Sequence, residues 1–160
     1  MRRYVLALLI VASPFSALAG ELPKEGRYDF TACSSGVNNV ITFSKAYTGS
    51  SYELTGTVRS NPPGGLFDKI TYRCVGMNTS FDGKNTGYTL CEAIDVDGDK
   101  YLSTLSTGDG KSTRTIVGGT GKYEGLVATQ SSYENLGPFP AIKDGTSQAC
   151  NRQTGTYKLK

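Results

Sequence analysis

Cys74-Val75-Gly76-Met77-Asn78-Thr79-Ser80-Phe81-Asp82-Gly83-Lys84-Asn85-Thr86-Gly87-Tyr88-Thr89-Leu90-Cys91 reads as two extended runs folded about a single turn. Asp-Gly between runs rich in Val, Thr and Tyr is a strong short-range hairpin signal, because both central residues of such a turn need positive φ. With Asp82-Gly83 at its centre, opposed residues have numbers that sum to 165, and Cys74 and Cys91 satisfy that sum. The same arithmetic sets Arg73 against Glu92, Val75 against Leu90, Thr71 against Ile94 and Met77 against Tyr88, all on the face away from the sulfurs, since side chains alternate along a strand.

The rest of the chain has the same character. Short runs of Thr, Tyr, Val and Ile recur between Gly, Asn, Asp and Pro, and few windows have helical periodicity. Strands are predicted over 27–33, 40–47, 52–59, 69–76, 88–96, 100–107, 112–117, 126–133 and 155–159. Turn chemistry lies between them at Thr48-Gly49-Ser50, Asn61-Pro62-Pro63-Gly64-Gly65, Asp97-Gly98, Gly108-Asp109-Gly110 and Gly118-Gly119. An all-β fold follows. Eight or nine sequential strands with short turns are best placed as an antiparallel up-and-down barrel of about eight strands, because closing the ring removes exposed edges. A two-sheet sandwich is the competitor, but only the loops near 60–68 and 134–150 are long enough for its crossings.

The 160 residues fit one domain. Met1-Arg2-Arg3, the apolar run Tyr4 to Ala12, and Ala17-Leu18-Ala19 before Gly20 form a bacterial-type signal peptide over 1–19, with a single domain over 20–160. The apolar run is too short to span a membrane. Cleavage would leave 141 residues with 15 basic and 14 acidic side chains, a net charge of +1. The mature chain is expected in the periplasm or outside the cell.

Cys33, Cys74, Cys91 and Cys150 then lie in an oxidising compartment, where an even count favours two disulfides. Cys74–Cys91 clips the hairpin, and Cys33–Cys150 joins the end of the first strand to the start of the last, locking the seam of a closed barrel. Gaps of 41, 17 and 59 positions lack the close pairs of a zinc site.

The chain has no His, so Ser-His and Cys-His nucleophile arrangements are excluded. Basic residues are scattered among acids, which argues against nucleic acid. Asp95-Val96-Asp97-Gly98-Asp99 has the look of a calcium loop, but Lys100 and Ser106 stand where an EF-hand has Gly and Glu, and an acidic hairpin turn is the simpler account. Gly118-Gly119-Thr120-Gly121-Lys122 fits neither the P-loop nor the dinucleotide spacing. No cofactor and no metal are expected, and nothing signals an oligomeric state.

Ile116 to Leu126, with Gly118-Gly119-Thr120-Gly121-Lys122-Tyr123-Glu124-Gly125, resembles the GGTG-x-aromatic-x-G segment of the barrel superfamily that includes allene oxide cyclase-like and dirigent-like proteins. The resemblance implies an eight-stranded antiparallel barrel able to hold an apolar small molecule, with Tyr123 plugging one end. It covers about a dozen residues and carries no catalytic residue onto this chain.

The polar candidates for a cavity are Arg73, Glu92, Tyr72, Tyr101, Arg114 and Glu134, with Tyr133 and Glu124 beside them. Arg73 and Glu92 would form a buried ion pair if their face points inward and an ordinary surface bridge if it points outward. Three functions compete: a non-catalytic barrel binding a small apolar ligand; an isomerase or cyclase using Glu92 or Glu134 with a tyrosine; and an envelope structural or interaction module working from its outer surface. A wide lumen containing Glu92 favours the first two, and a filled lumen with an exposed apolar patch favours the third.

Overall fold

The computed structural model describes residues 22–160 apart from 109 and 138. The leader expected at 1–19 lies outside the described residues. Eight strands follow one another: β1 (Glu25–Ser44), β2 (Tyr47–Ser60), β3 (Ile70–Phe81), β4 (Lys84–Ile94), β5 (Lys100–Gly108), β6 (Lys111–Gly119), β7 (Val127–Asn135) and β8 (Thr146–Lys158). A single turn of 3-10 helix, Gly121–Tyr123, precedes β7. Every ladder is antiparallel, in the order β6-β5-β4-β3-β2-β1-β8-β7, so the meander curls into a nearly closed barrel. Strands β6 and β7 approach each other without a ladder among the described residues.

Three expectations about the chain's path are corrected. The turn expected at Thr48-Gly49-Ser50 lies within β2, and the chain reverses at Lys45-Ala46 instead. The runs predicted over 27–33 and 40–47 are one strand: Ser34 to Asn39, which look like turn residues, are held extended by β2 on one side and largely by β8 on the other. The gap also moves. Strands β1 and β8 pair along thirteen residue pairs, with Cys33 directly opposite Cys150, so this bridge clips a continuous ladder at mid-strand and the open seam falls between β6 and β7.

The hairpin register holds throughout, from Thr71 opposite Ile94 to Phe81 opposite Lys84. Both expected bridges form, Cys74–Cys91 and Cys33–Cys150, each with Cα atoms 4.1 Å apart. They occupy opposite faces of the wall. Cys74 and Cys91 are buried in the lumen, while Cys33 and Cys150 are half-buried on the outside.

Aromatic side chains fill the lower half of the lumen. Phe67 is the hub, with its ring centroid 5.2 to 6.3 Å from those of Tyr28, Phe30, Tyr101 and Tyr123. It arrives on the 61–68 loop, which Asp68 folds by accepting the Ser60 and Gly64 N–H groups. Tyr123 is fully buried and donates to the Leu66 carbonyl at 3.0 Å, so the two connections jointly close this end. The role expected for Tyr123 is therefore seen; that of Leu66 and Phe67 had no sequence signal beyond a long loop. Within the GGTG segment, a Cβ on Gly119 would lie 2.1 Å from the Tyr123 carbonyl oxygen, and one on Gly121 would lie 1.8 Å from the Asp99 carboxylate.

A second device admits the tyrosines. Tyr28 faces Gly155, Tyr157 faces Gly26, Tyr52 faces Gly76 and Tyr72 faces Gly56, each directly across a ladder. In three of the pairs the tyrosine overlaps the place of the glycine's Cβ, and at Gly26 the Tyr157 ring stands 3.1 Å from it. A tyrosine can thus lie flat against the wall of a barrel too narrow to take it pointing at the axis.

At Gly56 the added Cβ would stand 2.3 Å from the Cys33 carbonyl oxygen and 2.6 Å from the Tyr72 ring. Gly56→Ala is therefore expected to lose about 2 kcal/mol or more of stability, read from urea unfolding; a variant as stable as the parent would contradict the packing. Limited reduction followed by alkylation and peptide mapping should open Cys33–Cys150 before Cys74–Cys91, because thiol exchange needs access to sulfur. The reverse order would contradict the assignment of faces.

Candidate functional site

Alternation fixes which side of the wall each candidate occupies. The Cys74–Cys91 sulfurs take the inner face of the hairpin, so Arg73, Val75, Leu90 and Glu92 point outward. Arg73 and Glu92 are opposed, as expected, but form no ion pair with each other. Arg73 Nε meets Glu53 Oε1 at 2.8 Å, and Lys100 Nζ meets Glu92 Oε1 at 3.0 Å, with the Arg73 and Glu92 side chains about 60% exposed. Such surface bridges contribute little, because water screens both charges. Glu134 is also exposed, opposite Arg152 on the outside of β7 and β8. Neither Glu92 nor Glu134 lines the lumen, so the acid–base pair that the cyclase reading requires is not formed by these residues.

Tyr72, Tyr101 and Arg114 do come together inside. Arg114 projects from β6, and its Nη1 donates to Ser103 Oγ at 3.0 Å on β5. Ser103 has no exposed surface. Nε of Arg114 is buried and has no hydrogen-bond partner, and no carboxylate among the described residues forms an ion pair with this guanidinium. Around it stand Tyr28, Tyr72, Tyr101 and Tyr133, from β1, β3, β5 and β7. Burial raises the pKa of all four, up to about 12 for Tyr101, and in each case the Arg114 charge pulls the other way. The wall thus presents an unpaired cation framed by neutral phenols.

The free space beside Arg114 is small, about 70 Å³, and Asn151 and Gln153 also line it. Gln153 Oε1 is likewise buried without a partner. An apolar cavity that admits benzene is about 150 Å³, so this space suits a few waters or a carboxyl-sized group. The apolar interior that the resemblance implies is occupied in its lower half by the protein's own rings.

Above the cavity the barrel opens into a mouth of about 590 Å³, lined by Thr48, Ser50, Tyr52, Asn78, Thr89, Thr107, Ser112 and Tyr133 among others, all uncharged. Mouth and cavity are stacked in series. Ser112 and Arg114 are successive inward positions on β6, as are Thr89 and Cys91 on β4. A hydrogen bond between Tyr52 and Thr89 lies at the level between them. Tyr133 lines the mouth yet feels the Arg114 charge.

Ser103, Tyr28 and Gln153 were not singled out from the sequence. Ser103 had a usable signal: pairing about Asp97 sets it opposite Cys91 and hence on the sulfur side.

The acidic turn at the closed end is already neutralised. Asp95 is buried and its Oδ1 accepts the N–H groups of Asp97 and Asp99, at 2.9 and 3.1 Å. Lys122 Nζ sits 2.8 Å from Asp95 Oδ2 and 2.6 Å from Asp97 Oδ2, so an ammonium stands where the calcium reading would put a metal.

An eight-stranded barrel with a polar lumen site is the class these features define. No family model matches the chain, and no curated protein matches it. Among solved structures, the chain is similar to the enduracididine biosynthesis enzyme MppR, described as complexed with the condensation product of pyruvate and imidazole 4-carboxaldehyde, at 6% identity and a TM-score of 0.27 over 90% of each chain.

Burial opposes the charge on Asp95, but Lys122 and the backbone donors prevail and hold its pKa below the usual carboxylate range. A depressed folded-state pKa contributes stability that is complete above the unfolded value, near 3.9, and is lost as pH falls through the folded one. Unfolding midpoints should therefore be level from about pH 5 to 8 and fall below about pH 4. Asp95→Asn should start lower at neutral pH and fall less steeply in acid; parallel curves for the two proteins would contradict the role given to Asp95.

Proposed function

We propose that this protein is a non-catalytic binding barrel that works outside the cytoplasm and takes a small ligand through its uncharged mouth. The observation that carries this reading is the stacking of the 590 Å³ mouth directly on the cavity of Arg114. Ligand sites are commonly concavities of about 300–1,000 Å³ with a few convergent polar groups, and mouth and cavity together have that form. The ligand's buried part is polar rather than apolar, because the apolar half of the lumen is closed by Phe67, Tyr123 and their neighbours.

The location rests on the proposed leader over 1–19 and on two cysteine pairs placed for bridging, an arrangement that persists in oxidising compartments. Among the described residues no helix is long and apolar enough to cross a membrane. A distant relationship to the allene oxide cyclase-like and dirigent-like barrels remains part of this proposal, supported by the GGTG segment lying between β6 and β7 in an eight-stranded ring.

Two observations favour a second reading, an interaction module: the lower half of the lumen is filled by the protein's own rings, and the outer wall carries exposed apolar side chains. Val75 opposite Leu90 and Met77 opposite Tyr88 form exposed apolar pairs on the outer wall, next to Leu102. Contiguous apolar surface of that kind marks contact sites.

A library of small polar and amphipathic molecules screened by saturation-transfer NMR separates the two. Binders are expected to be lost in Ser50→Trp, which fills the mouth, and retained in Val75→Ser/Leu90→Ser. Binders that persist in the filled mouth, or a library without any binder, would overturn the lumen reading.

A further inference from the structure

We propose that the ligand is a small organic carboxylate, with its carboxylate seated against the Arg114 guanidinium; this rests on the lumen being the binding site. An arginine facing inward without a carboxylate partner is costly, since a charge withdrawn from water needs a counter-charge or a full set of hydrogen bonds. Arg114 has one such bond, through Nη1 to Ser103, and its buried Nε has none. Arg114 is half-buried with its Nε withdrawn from water and unpartnered, and an anion supplied from the lumen would provide the counter-charge the described residues do not.

The barrel also shows what a guanidinium grips. On its outer face Arg152 holds Asp29 through two atoms, Nε to Oδ1 at 2.9 Å and Nη2 to Oδ2 at 2.6 Å. That outer fork is complete, whereas the inner one, on Arg114, lacks its carboxylate. Planar bidentate pairing of this kind is what distinguishes guanidinium from ammonium.

Size and charge bound the ligand further. About 70 Å³ accommodates a carboxylate and little more, so the remainder of the molecule must lie in the mouth above. The mouth has no charged lining residue, and its hydroxyl and amide groups suit a neutral, polar or weakly apolar body. A monocarboxylate meets these conditions; a dianion would bring a second charge into a neutral rim.

Acetate, butyrate and benzoate, each matched with its primary amide at constant ionic strength, test the proposal by NMR of the arginine Nε–Hε groups in the oxidised mature chain. The carboxylates should shift the Arg114 signal saturably and bind at least tenfold more tightly than the amides. Arg114→Met should abolish that preference without lowering the melting temperature, because it removes an uncompensated charge, and Arg114→Lys should retain only a weakened preference. Amides and acids that perturb the mouth equally would overturn the anion inference and leave the lumen-binding reading standing. Shifts confined to the exposed Arg73 and Arg152, or none at any of the three acids, would overturn the anion inference; failure of the amides as well, with silent Tyr52 and Thr89 signals, would remove the lumen reading too. A marked loss of melting temperature in both Arg114 variants would assign the arginine to the framework and likewise overturn the proposal.

Discussion

The inner radius of an eight-stranded ring leaves room for little more than one shell of side chains, and a tyrosine lies flat against the wall where the residue across the ladder offers no Cβ. The four cross-strand pairs of tyrosine over glycine meet this requirement, and they determine the rest of the interior. By lying flat, Tyr28 and Tyr72 leave a gap on the barrel axis at the level of Arg114, while Phe67 and Tyr123 fill the axis below. The polar cavity is therefore a product of how the aromatic rings are stacked, and its small size follows from the same cause.

Charge is sorted by face in a consistent way. Outside, Arg73, Lys100, Arg152 and Lys160 each have a carboxylate partner within 3.3 Å. At the closed end Lys122 balances Asp95 and Asp97. Other exposed cations, Arg27, Arg59 and Lys45 among them, form no ion pair among the described residues and are met by water; Arg114 is the unpaired cation that lines the lumen. A framework that settles its other interior and rim charges locally has the means to settle this one, so the lone guanidinium stands out as a feature of use rather than of construction.

Much of the framework was legible before any coordinates. Asp82-Gly83 fixed an integer register, and from it came the hairpin, the inner bridge and the opposition of Arg73 to Glu92. The direction in which those faces point was not legible, for a physical reason. In a wide sandwich the larger apolar set of a hairpin goes inside, and Val75, Met77, Leu90 and Ile94 have that look. In this narrow ring the inner positions of the same hairpin are Cys74, Gly76, Thr89 and Cys91, small because tyrosines from neighbouring strands occupy the space. Residue size, read strand by strand, did not decide between the two faces. The unity of β1 was hidden similarly, since Ser34 to Asn39 are extended through bonds to two partners distant in sequence. Arg114, Tyr72 and Tyr101 were named as candidates by type alone, and their convergence depends on β5 and β6, whose registers had not been counted, as well as on β3, whose register had.

The long ladder between β1 and β8 also bears on how the molecule comes into being. As a chain emerges from its amino end, β1 is among the first segments available, and β2 soon satisfies one of its sides. Its other side waits for residues 146–158. A sheet assembled from β1 onward therefore carries a lengthy unsatisfied flank, open to any extended stranger, until β8 docks and the Cys33 sulfur meets its mate 117 residues along the chain.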